Sequence, residues 1–247
     1  MTPSMPDQDP PAPRLLDAGE AALVVEFGSR VDPAIHDLVL ALDDALRARP
    51  VPGLCETVPT YRSLMVHYDP LALDRAGLVA CIRERLASGG RTARAGRSWT
   101  LPCCYDPSLA EDIAEVAGLA GLSVERVADL HAGAAYRVYM YGFAPGFAYL
   151  GGLSDALAVS RRATPRPPHP RSALLIGGGL AAVASVPMPT GWYVVACTPE
   201  RLYSDGREPT FLVETGDTLR FEPVDLSTFA ALDARAAAGD VIARSDG

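Results

Sequence analysis

The sequence contains no lysine, so all 22 of its basic residues are arginines. Lysine supplies the amine of Schiff-base enzymes, the phosphate-binding cation of a Walker A loop and the strand cation of protein kinases. Arginine stays protonated and cannot replace an amine that must lose its proton. The sequence therefore predicts no cofactor site in this chain, and any ATP-dependent step requires residues of a partner subunit.

The sequence also lacks an excess of positive charge, a long apolar run and a metal-binding motif. A formal net charge of −8 argues against a protein that neutralises a nucleic-acid backbone. No stretch approaches the roughly 18 consecutive apolar residues of a membrane span. The five cysteines lack the Cys-x-x-Cys spacing of zinc sites and cannot all pair within one chain. We expect a globular, cytoplasmic protein that binds neither nucleic acid, nor membrane, nor metal.

The order of the predicted elements indicates two domains. The proline-rich start, residues 1–13, is predicted to be a disordered tail. Residues 14–95 alternate strand, helix, strand, helix, which is typical of a small α+β domain of split βαβ type. Asp32-Pro33 has the cap and first-turn proline of a helix start. A polar linker is predicted at residues 89–98.

Residues 98–240 are predicted to form the second, mostly-β domain. A short strand and two short helices, starting near Leu109 and at the cap residue Ser123, precede a series of strands separated by turns. Gly177-Gly178-Gly179 is predicted to be a tight β-turn, since no helix signal follows it. The pattern is typical of a barrel or sandwich, with a helix over residues 226–238.

The segment from Tyr136 to Leu153 reads Y-R-V-Y-M-Y-G-F-A-P-G-F-A-Y-L-G-G-L. Its placement of aromatic, glycine and proline residues resembles the signature of the KipI/PxpB family, also known as carboxyltransferase domain, subdomain C and D. The resemblance continues in R-R-A-T-P-R at 161–166, in E-T-V-P-T-Y-R-S-L-M-V-H-Y-D-P at 56–70 and in T-G-D-T-L-R-F at 215–221.

The resemblance implies a cyclophilin-like β-barrel for the second domain and a role as the PxpB-type subunit of a 5-oxoprolinase. Such subunits pair with a second carboxyltransferase-type barrel subunit and a TIM-barrel-like subunit, and the complex opens 5-oxoproline at the expense of ATP. One family member instead inhibits a histidine kinase, so a non-catalytic binding module is the alternative. A member recruited to another biosynthetic reaction is a third possibility.

The sequence departs from the family pattern at residues 178–185, which read G-G-L-A-A-V-A-S where relatives carry Gln, Thr and Tyr, and again near Cys197. Apolar side chains replace polar groups that could hold a substrate. This replacement predicts that a larger, more apolar ligand binds better than 5-oxoproline.

Strand alternation places Arg137, Tyr139, Tyr141 and Phe143 on one face of a strand. Guanidinium and phenol groups suit a carboxylate or amide ligand, although the same face could pack on a neighbouring domain. The predicted concave site is lined by a set of aromatic and basic residues, with the stretch 180–184 as one wall: Arg137, Tyr139, Phe143, Phe147, Arg166 and Trp192.

Catalytic residues cannot be assigned from the sequence. No Gly-x-Ser-x-Gly elbow occurs, and no histidine has a spacing from Cys103-Cys104 that would indicate a catalytic pair. His67 and His131 are candidates for acid-base chemistry, but structural roles are the simpler interpretation of both. The loop with Arg161, Arg162 and Arg166 indicates an anion or an acidic partner surface, or merely solvated arginines.

Overall fold

The computed structural model describes residues 12–88 and 95–246, and the chain divides into two compact units, residues 1–94 and 95–247. Nearly all of the predicted tail and most of the predicted linker lie outside the described residues. Each unit has its own apolar core. Among the described residues, no helix is both long and apolar enough to cross a membrane.

The first unit is a four-stranded antiparallel sheet with two helices. Its elements are β1 (Arg14–Asp17), β2 (Ala22–Glu26), α1 (Pro33–Ala48), β3 (Leu54–Pro59), β4 (Ser63–Tyr68) and α2 (Arg75–Ala87). The strand order is β1-β2-β4-β3. Since β2 and β3 each run antiparallel to β4, which lies between them, they are parallel to each other and are joined through α1.

Local sequence explains where the two helices of this unit begin. The Asp32 carboxylate accepts a hydrogen bond from the backbone N–H of Ala34, and a proline occupies the first turn, as predicted for α1. Asp74 caps α2 in the same way through the N–H of Gly77. Alternate residues of β2 and β4 then pack against the helices in one core, to which Leu23, Val25, Leu64, Val66, Leu42, Leu46, Leu78 and Ile82 belong.

The second unit is a mixed eight-stranded sheet flanked by helices. Its elements are β5 (Ser98–Cys103), α3 (Ile113–Ala120), α4 (Val124–Ala132), β6 (Tyr136–Gly142), β7 (Ala144–Gly151), a 3₁₀ turn (Asp155–Leu157), β8 (Ala173–Gly177), β9 (Leu180–Val183), β10 (Tyr193–Cys197), β11 (Thr218–Pro223), α5 (Leu226–Ala237) and β12 (Arg244–Asp246). The order is β10-β8-β9-β7-β6-β11-β5-β12, and within residues 95–246 only β5 and β11 pair in parallel.

This sheet is not a closed barrel in the described residues. Strands β10 and β12 are its edges, and one isolated bridge between Cys104 and Cys197 links the segment after β5 to β10. The observed class is therefore mixed α/β with two sheets. The predicted glycine turn is confirmed, because Gly178 and Gly179 join β8 to β9 with φ angles of 63° and 78°.

The predicted start of α3 near Leu109 was wrong by four residues. The Asp106 side chain accepts hydrogen bonds from the N–H and hydroxyl of Ser108, which makes a turn there, and α3 begins only after Asp112. Asp112 occupies the cap position without capping the helix, since its carboxylate has partners elsewhere. Ser123 caps α4 as predicted, accepting from the N–H of Arg126.

A buried glutamate fixes the C-terminal segment of this unit. The Glu200 carboxylate is fully buried, with its Oε1 3.0 Å from the guanidinium of Arg207. Its Oε2 accepts hydrogen bonds of 2.6 Å from the N–H groups of both Ile242 and Ala243. One carboxylate therefore ties the residues after β10 to the residues that precede β12.

Removing this carboxylate should destabilise the protein strongly, because Arg207 and the backbone N–H groups of Arg201, Ile242 and Ala243 would be left without their buried acceptor. We expect Glu200→Ala to lower the free energy of unfolding by about 3–5 kcal/mol in urea denaturation. The matched control is Glu222→Ala, which removes an exposed partner of Arg244 and should cost less than about 1 kcal/mol. Equal losses in the two variants would contradict this assignment.

Candidate functional site

The strands β7 to β10 carry a second apolar cluster on the sheet face opposite the main core. Alternation divides their side chains between the two faces, so that Ala148, Leu174 and Val183 join the main core. Their neighbours form the second cluster, which comprises Phe147, Ala173, Leu175, Ala182, Ala184, Trp192, Val194 and Cys197. Tyr149 also packs against this cluster and is partly exposed.

A half-open cavity of about 270 Å³ lies on this second face. We call it the aromatic pocket, and its lining residues are Phe143, Phe147, Tyr149, Arg161, Met188, Pro189, Thr190, Gly191 and Trp192. Ring centroids are 6.1 Å apart for Phe143 and Phe147, 4.9 Å for Phe147 and Tyr149, and 6.2 Å for Tyr149 and Trp192. The pocket is thus a chain of aromatic contacts with one cation.

Phe143 forms the exposed end of this chain of rings. It lies between β6 and β7 with φ of 68°, a conformation that residues with a side chain seldom adopt, and 78% of its surface is exposed. Gly146, with φ of 72°, lies very close to Tyr203. A Cβ added to Gly146 would be 2.3 Å from the Cβ of Tyr203. The hairpin therefore holds Phe143 out at the pocket mouth.

Arg161 is the cation of the aromatic pocket. Its guanidinium carbon lies 5.0 Å from the ring centroid of Trp192, which is a cation–π distance. Gly177 makes room for both residues, because a Cβ there would lie 3.3 Å from the indole and 3.4 Å from the Arg161 stem. Arg161 also borders a second cavity of about 570 Å³, which Tyr193 and the 3₁₀ segment line from the other side.

The neighbouring arginines are engaged by acidic residues at the start of α3. Arg162 lies 2.6 Å from Glu115 and 3.3 Å from Asp112. Arg166 lies 2.7 Å from Asp112 and also pairs with Glu111. The predicted basic loop is therefore largely neutralised within the chain, and its arginines are not simply solvated.

Backbone hydrogen bonds hold the rim of the aromatic pocket. The N–H of Arg162 donates to the carbonyl of Gly191, and that of Arg166 donates to Thr190, both at 2.8 Å. The N–H of His169 donates to Met188 at 3.1 Å. The segment 162–169 and the segment 188–191 therefore form one continuous rim beside Trp192.

The predicted site residues fall into two groups. Phe143, Phe147 and Trp192 lie together in the aromatic pocket. Arg166 lies behind the rim in its ion pairs. Of the predicted wall, Leu180, Ala182 and Ala184 pack in the second cluster without lining the pocket.

Arg137 and Tyr139 lie away from the aromatic pocket. The register of β6 against β7 shifts between Val138 and Met140, so strict alternation fails there. Tyr139 is buried against Gly151, where a Cβ would lie 2.4 Å from its ring. Arg137 lies over the Tyr139 ring at 5.9 Å. A second register shift lies between Tyr141 and Gly142, so two irregularities separate this pair from Phe143.

Tyr149, Arg161 and Met188 also line the aromatic pocket, although the sequence did not predict them there. Arg161 was predicted only as one of three loop arginines that could meet an anion or an acidic partner surface. Tyr149 follows Phe147 at the period of two that places side chains on one strand face, so alternation along β7 could have found it. Burial raises the pKa of Tyr149, and the nearby charge of Arg161 opposes this rise. The sequence carries no comparable signal that separates Arg161 from Arg162.

The histidine and cysteine candidates have structural surroundings. His131 is buried, its Nδ1 lies 2.7 Å from the Tyr105 hydroxyl, and its ring stacks on Phe221 at 5.1 Å. Burial lowers the pKa of His131 to about 3 and raises the pKa of Cys103 and Cys197 to about 12. These groups are therefore a neutral imidazole and two neutral thiols at physiological pH, which suits packing better than catalysis.

The comparisons with known proteins agree with this fold. The family model for the carboxyltransferase domain, subdomain C and D, matches residues 13–213. A 5-oxoprolinase subunit of Bacillus subtilis (strain 168) is 32% identical over 214 residues, which cover 82% of this chain and 89% of the relative.

Solved structures show the same architecture. A crystal structure of TTHA0988 aligns with a TM-score of 0.74 at 35% identity, covering 82% of this chain and 40% of that chain, so this chain spans about two fifths of that protein. The Kluyveromyces lactis urea carboxylase aligns with a TM-score of 0.75 at 16% identity, covering 95% of this chain and 24% of that chain, which shows a shared fold.

These matches define a protein with a carboxyltransferase-type fold. The chain belongs to the family described as carboxyltransferase domain, subdomain C and D, which is the KipI/PxpB family. The resemblance that was seen in the segment from Tyr136 to Leu153 is thereby confirmed.

The burial of His131 predicts that the stability of the protein falls in acid. An unfolded chain takes up a proton on His131 near pH 6.5, whereas the folded protein does so only near pH 3, so stability should fall as the pH falls between these values. We expect His131 to lower the free energy of unfolding by at most about 1.4 kcal/mol for each unit of falling pH. Urea denaturation from pH 7 to pH 4 measures this slope.

The variant His131→Phe keeps a stacked ring and should show a shallower pH slope than the wild type. His67→Phe retains His131 and should keep the wild-type slope. Titration of the carboxylates contributes equally to all three proteins and cancels in the comparison. An unchanged slope in His131→Phe would show that this imidazole is not buried in the neutral form.

Proposed function

We propose that the chain is one subunit of an ATP-dependent complex that opens a lactam or amide such as 5-oxoproline. The observation that carries this proposal is the 32% identity to proteins named as 5-oxoprolinase subunits, over 89% of the Bacillus subtilis relative and 93% of the Escherichia coli O157:H7 relative. The aromatic pocket supports it, because a cavity lined by aromatic rings and one cation suits a small organic ligand.

The proposed partners are a second carboxyltransferase-type barrel subunit and a TIM-barrel-like subunit in the cytoplasm. The chain has no lysine with which to hold the phosphates of ATP, so ATP is handled by a partner. The subunit naming of the relatives supports assembly into a complex of several chains.

We also propose that the two units correspond to the domains expected at residues 14–95 and 98–240. The parallel arrangement of β2 and β3 around β4 supports a split βαβ type for the first. The eight-stranded sheet with its bridge between Cys104 and Cys197 supports a cyclophilin-like relationship for the second.

Within this proposal, Phe143, Phe147 and Trp192 contact the ligand. Arg166 acts as a positioning residue, since it reaches Asp112 and donates its backbone N–H to the rim at Thr190. Arg137 and Tyr139 serve the structure of the β6–β7 ribbon. The catalytic groups of the reaction belong to the assembled complex.

The reaction can be tested by reconstitution. We expect the chain, purified together with the two partner subunits, to hydrolyse ATP when 5-oxoproline is added and to release glutamate in proportion to the phosphate formed. Omission of this chain should abolish the 5-oxoproline dependence. A full reaction by the two partners alone would contradict the proposal.

The isolated chain should neither bind nor hydrolyse ATP, because it lacks the cationic loop that holds phosphates. Calorimetric titration of the full chain with Mg-ATP should show no heat of binding, whereas the reconstituted complex should show binding. Micromolar affinity of the lone chain for Mg-ATP would show that arginines of this protein hold the nucleotide.

A further inference from the structure

Three arginines within six residues of sequence have different surroundings in the structure. Arg162 and Arg166 are each in ion pairs with the carboxylates at the start of α3. Arg161 makes no hydrogen bond and no ion pair with any part of the chain that the structure describes, and its guanidinium lies over the ring of Trp192. A cation–π contact leaves the five N–H donors of a guanidinium available.

The position of Arg161 is defined although its donors have no acceptor among the described residues. The backbone N–H of the next residue, Arg162, is bonded to Gly191, and the N–H of Gly178 is bonded to the carbonyl of Val159. The Arg161 stem then lies along Gly177 and Gly178, where a Cβ would come within 3.4 to 3.8 Å of it. The backbone and the stem are therefore held in place, which lowers the cost of ordering this cation around a ligand.

The walls of the aromatic pocket restrict the ligand that this cation would meet. Phe147, Tyr149 and Trp192 present ring surfaces, and a volume of about 270 Å³ lies just below the range of cavities that hold drug-sized molecules. A single guanidinium matches one carboxylate through two parallel N–H bonds, whereas a phosphate group usually requires several cations or a helix N-terminus.

We propose that Arg161 binds the carboxylate of a small cyclic monocarboxylate whose ring lies against Phe147, Tyr149 and Trp192. This inference rests on the proposed function only where it takes 5-oxoproline, a lactam, as a ligand. The contact between Arg161 and a carboxylate requires no lactam group. Arg161 is then the specificity-determining residue of the pocket, and Arg162 and Arg166 support the rim.

Three probes separate the carboxylate from the lactam. Cyclopentanecarboxylate has the ring and the carboxylate, 2-pyrrolidinone has the lactam without the carboxylate, and 5-oxoproline has both. The ¹⁵N-labelled full chain reports binding through its two indole N–H signals, of which Trp99 donates to Asp217 at 3.0 Å and serves as an internal reference.

We expect cyclopentanecarboxylate and 5-oxoproline to shift the indole signal of Trp192 but not that of Trp99, and 2-pyrrolidinone to shift neither at the same concentration. Arg161→Ala should raise the dissociation constant of both carboxylates by roughly 10- to 150-fold, as expected for loss of charged hydrogen bonds. Arg161→Lys should have a dissociation constant between those of the wild type and Arg161→Ala, because lysine keeps the charge but lacks the planar pair of N–H donors. The control Arg171→Ala, at an exposed arginine two residues before β8, should bind as the wild type does.

The outcomes distinguish failure of this inference from failure of the proposed function. Equal binding by wild type and Arg161→Ala, equal binding of 2-pyrrolidinone, or no shift of Trp192 at saturating carboxylate would overturn the role of Arg161. Arg161-dependent binding of cyclopentanecarboxylate without binding of 5-oxoproline would support that role and count against the 5-oxoproline reaction. A reconstituted complex whose KM for 5-oxoproline is unchanged by Arg161→Ala would support the reaction and overturn the inference.

Discussion

The aromatic pocket depends on the carboxylate of Asp112. This side chain is largely buried at the first position before α3, where its Oδ2 lies 2.7 Å from Arg166 and accepts a 2.8 Å hydrogen bond from the N–H of Val194. Its Oδ1 faces Arg162 at 3.3 Å. Since a buried carboxylate is costly without partners, these contacts must form together. They join the helix start, the arginine loop and strand β10 into one unit.

The ion pairs of Asp112 give the three arginines of the loop, Arg161, Arg162 and Arg166, different roles. By drawing Arg162 and Arg166 toward α3, the acidic cluster brings their backbone N–H groups onto the rim carbonyls of Gly191 and Thr190. Arg161 is left on the opposite side, over the indole of Trp192. An acidic protein thus presents one cation, with no anionic partner among the described residues, beside the aromatic rings of a cavity. This arrangement suits a ligand that carries one negative charge.

Local signals in the sequence were sufficient for much of the fold. The pair Asp32-Pro33 predicted the start of α1, and the glycines at 177–179 predicted a tight turn. The family signature led to Phe143 and Phe147, and the Gly-Trp run led to Trp192. What local signals could not give is the choice among arginines, because the acids that engage Arg162 and Arg166 lie about 50 residues earlier in the chain.

Alternation along a strand was similarly insufficient at β6. Prediction of a common face for Arg137, Tyr139 and Phe143 assumed a regular strand. The two register shifts of β6 against β7 depend on the pairing partner. A bulge reverses the faces beyond it, so the residues on its two sides cannot be assigned from period two alone.

A crystal structure of the full chain soaked with cyclopentanecarboxylate would show directly whether Arg161 binds the carboxylate. We expect density for the ring among Phe147, Tyr149 and Trp192, with both carboxylate oxygens within hydrogen-bond distance of Arg161 and with Asp112 still bonded to Arg166. Density for the ligand beside Arg137, or a ligand carboxylate that displaces Asp112 from Arg166, would contradict this expectation.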